Sequence, residues 1–295
     1  MTKSFLERIQ SGEILTADGA TGTNLQQRGL PPGQPGEVFL LHNPAAIEGL
    51  ARDFIAAGAQ ILLTCTFGAS RLRLRHTGLE AHFVEINRAA VDLAREAAAG
   101  SQVLLAASIG PTGMMMQPFG ELTVEAAREN FREQVSLLAA CGVDLIVIET
   151  MYDLDEAAAA AQGAQEAAQL PLVCSFSYDR GRKSMMGVSP ARAAQALEGS
   201  GVDLIGINCG RSLEENLANL HELRGATRLP IWFKPNAGLP VTDAAGRLIY
   251  SVTAEDMGRS AAAWIEAGAQ VVGGCCGASP EHVRAIAAAA RQMKG

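Results

Sequence analysis

Aromatic residues make up only 5% of the 295 positions in this chain, and charged residues only 19%. Basic residues are outnumbered: 24 Lys and Arg stand against 31 Asp and Glu, for a net charge of -7 and a pI near 5.3. That balance argues against nucleic acid and against an anionic membrane surface as partners. No run of about 18 or more apolar residues occurs, so no membrane span is expected. The opening MTKSFLERIQSGE has no apolar stretch of the kind a signal peptide carries. A cytoplasmic location is the resulting expectation. In that compartment thiols stay reduced, so the six cysteines are expected to be ligands, nucleophiles or core residues rather than disulfides. An early GxGxxG is also missing, which removes the usual sign of a dinucleotide-binding open sheet.

Against these absences, 48% of the chain is hydrophobic, enough for a sizeable core. Short apolar runs alternate with Ala-rich stretches of helical spacing. Strands are predicted to begin at Ile14, Gln60, Gln102, Val143, Leu172, Asp203, Ile231 and Gln270. Helices are predicted near 44–57, 80–99, 123–140, 154–168, 190–199, 213–225, 253–267 and 280–293. Eight strand–helix pairs point to an α/β protein of the (β/α)8 TIM-barrel class, with a doubly wound sheet as the alternative. Asn43-Pro44, Ser189-Pro190 and Ser279-Pro280 read as helix starts, with Pro at the first helical position. Gly58, Gly142, Gly201 and Gly268 each stand where a helix would end left-handed, directly before the second, fourth, sixth and eighth strands.

Barrel active sites lie at the C-terminal ends of the strands. Those ends gather Asp18, Thr64-Cys65-Thr66, Ser108, Glu149, Ser175 and Ser177, Asn208-Cys209, Asn236 and Cys275-Cys276. Cys209 closes the sixth strand, and Cys275 and Cys276 the eighth. Neighbours on a regular strand point to opposite faces, so Cys275 and Cys276 can share an ion only if the backbone bends. Gly273, Gly274 and Gly277 are expected to supply that freedom. Three thiolates suit Zn²⁺ and leave a tetrahedral position open, as catalytic zinc requires. Such an anionic site suits a thiolate nucleophile, and hence sulfur alkylation, better than hydrolysis. Taken alone, the same cysteines could be small buried apolar residues or a strained vicinal disulfide.

Seven segments carry a resemblance to a known family: DGATGTNL (18–25), TCTFGAS (64–70), SIGPTG (108–113), IET (148–150), GINC (206–209), KPNAGLP (234–240) and GGCCGASPEHVRAI (273–286). The chain resembles the zinc-dependent homocysteine S-methyltransferases, and its motifs look most like the homocysteine-binding module of cobalamin-dependent methionine synthase. The resemblance implies one homocysteine-binding barrel over residues 1–295 and Zn²⁺ on Cys209, Cys275 and Cys276. It implies homocysteine as methyl acceptor, its zinc-bound thiolate as nucleophile, and methionine as product. Asp18 and Glu149 match the acids near the substrate ammonium, the amides of Gly19, Ala20 and Thr21 would face the carboxylate, and Asn236 would assist binding or order the metal loop. The donor stays open among a methylcobalamin or corrinoid protein acting in trans, S-methylmethionine and betaine. Gly68 and Thr150 stand where betaine enzymes carry aromatics, and the chain has no D-x-H-x-x-G cobalamin signature. An alternative is a homocysteine-presenting module, inactive without a separate corrinoid partner. The apolar Met114-Met115-Met116 is expected either to line the donor's approach or to pack on the rim.

Overall fold

The computed structural model describes residues 3–242 and 248–293. Eight parallel strands form the central sheet: β1 (Leu15–Thr16), β2 (Ile61–Leu63), β3 (Leu104–Ile109), β4 (Leu145–Met151), β5 (Leu172–Phe176), β6 (Leu204–Cys209), β7 (Ile231–Pro235) and β10 (Ala269–Val272). A two-stranded antiparallel hairpin, β8 (Pro240–Thr242) and β9 (Leu248–Tyr250), rises from the loop after β7. The sheet runs β1-β10-β7-β6-β5-β4-β3-β2. A parallel bridge between Ala17 and Ile61 joins its two edges, with Gln60 N–H donating to Thr16 O at 2.7 Å. The sheet thus closes into a (β/α)8 barrel through this single bridge.

The predicted strands and helices fall where the apolar periodicity put them. The four glycine junctions adopt φ of 104° at Gly58, 82° at Gly142, 81° at Gly201 and 99° at Gly268. Each ends a helix in a conformation that costs a side-chain-bearing residue energy. Ser189 caps its helix by accepting from Arg192 N–H at 3.3 Å. Asn43 makes no such bond, and at Ser279 the ring of His282 caps instead, accepting from Ser279 N–H at 3.1 Å. Short helices at Thr21–Gln27, Glu37–His42 and Arg71–His76, and the β8–β9 hairpin, lie in βα loops that the periodicity did not resolve.

Two-residue periodicity sorts the barrel interior. Leu15, Leu145, Val147, Val173, Leu204, Trp232 and Val271 fill its lower part, and Phe5 and Ile9 of the N-terminal helix close the bottom. Gly206 makes room for Trp232: a Cβ there would lie 2.6 Å from Trp232 O and 2.9 Å from its Cβ. Continuing the same alternation upward gives Ser108, Glu149, Ser175, Asn208 and Lys234, all buried and all polar. The apolar core thus gives way to a polar layer at the C-terminal mouth. Among the described residues no helix is long and apolar enough to cross a membrane.

Candidate metal centre and amino-acid site

The three cysteines expected to act together do converge. Their Sγ atoms all lie within 4.8 Å of one another, and Cys209 Sγ is 2.9 Å from Cys275 Sγ. All six cysteines are free thiols. Cys209, the last residue of β6, has φ of 58°, and Gly210 follows at 76°. A non-glycine residue in this region costs on the order of 1–3 kcal/mol and persists only when its surroundings hold it. Here they do: Cys209 O accepts from Asn216 Nδ2 at 2.8 Å and from Asn236 N–H at 3.1 Å, and Gly210 O accepts from Asn236 Nδ2 at 2.7 Å.

Cys275 and Cys276 sit beyond the end of β10, in a turn, so strand alternation does not separate them. Cys275 N–H donates to Pro235 O at 2.8 Å, and Cys276 O accepts from Ala237 N–H at 2.9 Å. The flanking glycines differ from expectation in how they act. Only Gly277 is left-handed, with φ of 81°. Gly273 and Gly274 serve close approach: a Cβ would lie 2.9 Å from Asp18 O at the first and 2.2 Å from Ala278 Cβ at the second. The Tyr250 ring of β9 lies over Gly277, where a Cβ would come within 2.2 Å of it.

Electrostatics in this cluster set the three thiols against one another. Hydrogen bonds from Cys209 and Cys275 hold the Cys276 thiol well below its ordinary range. For Cys275, the Cys209 thiol pulls down, but its bond to Cys276, burial and charge together push it up to about 12. Cys209 is pushed well up, first by its bonds to Cys275 and Cys276 and then by burial. A dication among three sulfurs would remove that competition, because coordination deprotonates a thiol.

The two acids differ in state. Asp18 is buried with both oxygens engaged: Oδ1 accepts from Lys234 Nζ at 2.6 Å and Oδ2 from Leu63 N–H at 2.8 Å. Burial raises its pKa, against the pull of Lys234. Glu149 accepts from the Ser108 hydroxyl. Burial pushes Glu149 up to about 7, with Lys234 opposing and Cys275 reinforcing. Of the two acids expected near the substrate ammonium, Asp18 thus has an internal cation in Lys234. The amide cradle is also narrower than expected. Ala20 N–H donates to Ala278 O at 3.0 Å, which leaves the amides of Gly19 and Thr21.

Lys234 and Asn208 are the participants that sequence reasoning did not assign. Asn208 is wholly buried. Its Oδ1 accepts from Thr150 N–H at 2.8 Å and Ser175 Oγ at 2.7 Å. Its Nδ2 donates to Thr150 Oγ1 at 2.7 Å and reaches Cys209 Sγ at 3.6 Å and Cys275 Sγ at 3.9 Å. Both residues fall on inward positions of strands β6 and β7, and both lie inside quoted motifs, which was the available signal. Of the three methionines, Met116 is buried, Met114 packs on the core and Met115 is half exposed. Further exposed apolar side chains stand in the loops after β3, β5 and β7: Phe119, Met185, Met186, Leu239, Val241 and Ile249.

Comparison with known proteins agrees with this geometry. The pattern described as "Homocysteine S-methyltransferase" matches residues 15–290. Methionine synthase of Mycobacterium tuberculosis is 30% identical over 97% of this chain, which spans only 25% of that protein. The S-methylmethionine–homocysteine S-methyltransferase BHMT2 of Pongo abelii is 27% identical, over 97% of this chain and 80% of its own length. The metallated form of the Escherichia coli homocysteine methyltransferase MmuM superposes with a TM-score of 0.80 at 28% identity, covering 95% of this chain and 97% of that one. With the fold, three convergent thiols and these matches in agreement, the chain belongs to the homocysteine S-methyltransferase family.

Proposed function

We propose that this chain transfers a methyl group to the thiol of homocysteine, giving methionine, with Zn²⁺ held by Cys209, Cys275 and Cys276. The observation that carries this reading is the convergence of three sulfurs beside buried Glu149, a carboxylate with no cationic partner in hydrogen-bond contact among the described residues. The donor set fits zinc: three soft ligands, and a buried Asn236 Oδ1 that has no hydrogen-bond partner among the described residues. Zinc so held supplies a thiolate at neutral pH, where a free thiol of pKa about 8.5 supplies little.

The chain's own groups sort the rest of the substrate. Glu149 meets the ammonium in a charge-assisted hydrogen bond. The amides of Gly19 and Thr21 face the carboxylate. Ala20 contributes by fixing the turn on Ala278, and Asp18 by anchoring Lys234 beneath the site. Asn236 orders the Cys209–Gly210 turn. The new S–C bond forms as the donor departs with the bonding electrons, and the thiol proton passes to water. Six free cysteines support placing this reaction in the cytoplasm.

For the donor we favour a methylcorrinoid carried on a separate protein. The apolar side chains ringing the mouth support a macromolecular visitor, and Phe67 lies against Gly110 rather than in an aromatic cage. S-methylmethionine is the second reading, supported by the 80% coverage of BHMT2. A panel of betaine, S-methylmethionine, S-adenosylmethionine and methylcobalamin, each with homocysteine, tests this. Turnover with any of them establishes the acceptor chemistry. Zinc-dependent homocysteine binding with turnover only when a methylcorrinoid protein is added would support the favoured donor and a homocysteine-presenting role, whereas turnover with S-methylmethionine alone would support the second reading. Absence of both zinc and homocysteine binding would sink the proposal.

A further inference from the structure

The metal end and the amino-acid end of this site belong to different strands, and one side chain touches both. Thr150 directly follows Glu149 on β4 and has φ of 62°. Cys209 ends β6 with φ of 58°. A β-branched residue rarely adopts this conformation unless its surroundings enforce it. Asn208 is the enforcing group: its amide binds Thr150 twice, through N–H and through Oγ1. The same amide's remaining donor capacity points at sulfur, 3.6 Å from Cys209 Sγ and 3.9 Å from Cys275 Sγ. Thr150 N–H can only donate, so its bond to Oδ1 fixes which way the amide faces and leaves Nδ2 toward the sulfurs, with the Ser175 hydroxyl at 2.7 Å as a second donor to Oδ1.

We propose that Asn208 is a positioning residue that locks the substrate strand β4 to the metal strand β6 and donates N–H to two of the metal-binding sulfurs. Donation to a ligand sulfur orients it and draws off electron density, and such outer partners commonly set metal affinity. The side chain acts through Thr150, Cys209 and Cys275. This inference rests on the zinc-dependent thiol-methylation reading above.

The test uses the full chain and Zn²⁺ alone, with affinity measured by competition against a chromophoric chelator. Asn208→Asp keeps the size and the acceptor but removes every donor. It is expected to weaken zinc binding by about 10–100-fold. Loaded with Co²⁺ instead, the wild-type and variant proteins are expected to differ in the sulfur-to-metal charge-transfer band, while Glu149→Gln leaves that band in place. Zinc affinity within threefold of wild type, in a folded Asn208→Asp protein with an unmoved cobalt band, would overturn the inference. Should that variant fail to fold, Asn208→Ala decides. It removes the amide donor without adding a charge and is expected to weaken zinc severalfold, and an unchanged affinity there overturns the inference equally. These outcomes are separate from the function itself. A wild-type protein that binds zinc yet methylates no thiol defeats the proposed function and leaves the Asn208 result standing.

Discussion

Lys234 Nζ lies 2.6 Å from Asp18 Oδ1, with the two side chains only 3% and 1% exposed. A pair so deep is costly to break from one side, because the survivor keeps a buried, unmatched charge. Lys234→Met is expected to lower stability by about 3–5 kcal/mol. The double variant Asp18→Asn with Lys234→Met should recover most of that loss. Chemical denaturation of the three proteins checks it, and a double variant no better than the single one would refute the pairing argument.

Because Asp18 is committed to Lys234, the substrate ammonium should depend on Glu149. Glu149→Gln removes a charge-assisted bond worth roughly 1.5–3 kcal/mol. The KM for homocysteine should rise by about 10–100-fold. The KM for 4-mercaptobutyrate, which lacks the amino group, should not move. Steady-state kinetics with both thiols separates this from general damage to the site.

The same residue fixes a pH dependence. Glu149 is pushed up to about 7 and must be ionised to hold an ammonium. Homocysteine affinity should therefore fall as pH drops through 7, and the Glu149→Gln variant should lose that limb. Stability moves the other way. A carboxylate raised on folding binds more protons in the folded state, so its stabilisation is complete below the unfolded pKa near 4.3 and is lost as pH rises toward 7. Glu149→Gln should flatten stability between those limits, though not fully, since burial also raises Asp18, Glu37 and Glu156. Denaturant midpoints at several pH values measure it.

Removing any one of Cys209, Cys275 and Cys276 breaks a three-sulfur set. Each Cys→Ser variant is expected to lose bound zinc, and chelation of the wild type should abolish thiol methylation and return it on adding zinc. Elemental analysis beside an assay is sufficient. Zinc content unchanged in Cys209→Ser would remove the site assignment.

Glycine substitutions should sort by geometry rather than by position in the motif. Gly274→Ala puts a Cβ 2.2 Å from that of Ala278, and Gly277→Ala adds left-handed strain to a clash with Tyr250. Both should weaken zinc binding and lower stability. Gly225→Ala, in a helix with open space around it, should be neutral or stabilising by about 0.5–1 kcal/mol. Thermal melts with zinc titrations check the contrast.

The barrel was readable because its information is local. Apolar strands, Ala-rich helices and four left-handed glycines each leave a mark within a dozen residues. The cysteine set was readable too, since its members lie at two strand ends with unusual glycine flanks. Lys234 was not, because the reason for a lysine in a buried strand is Asp18, 216 positions earlier in the chain. Asn208 was hidden likewise, as its partner Thr150 is 58 residues away. The β8–β9 hairpin and the short loop helices lack the length over which periodicity shows. The unequal standing of Asp18 and Glu149 is a property of packing and could not be read from two acids at two strand ends.

The pairing of β1 with β10, and the contacts of Asp18 O with Gly274 N–H and of Ala20 N–H with Ala278 O, join early and late parts of the chain at the site itself. Such a centre has no partial form. During synthesis the residues around position 18 emerge long before their partners beyond 270, and until both are present neither the metal nor the amino acid has a place to bind. Metal loading therefore waits until β10 and the turn after it have been made, and a ribosome-stalled product ending before Gly273 should fail to retain zinc however well its earlier strands have formed.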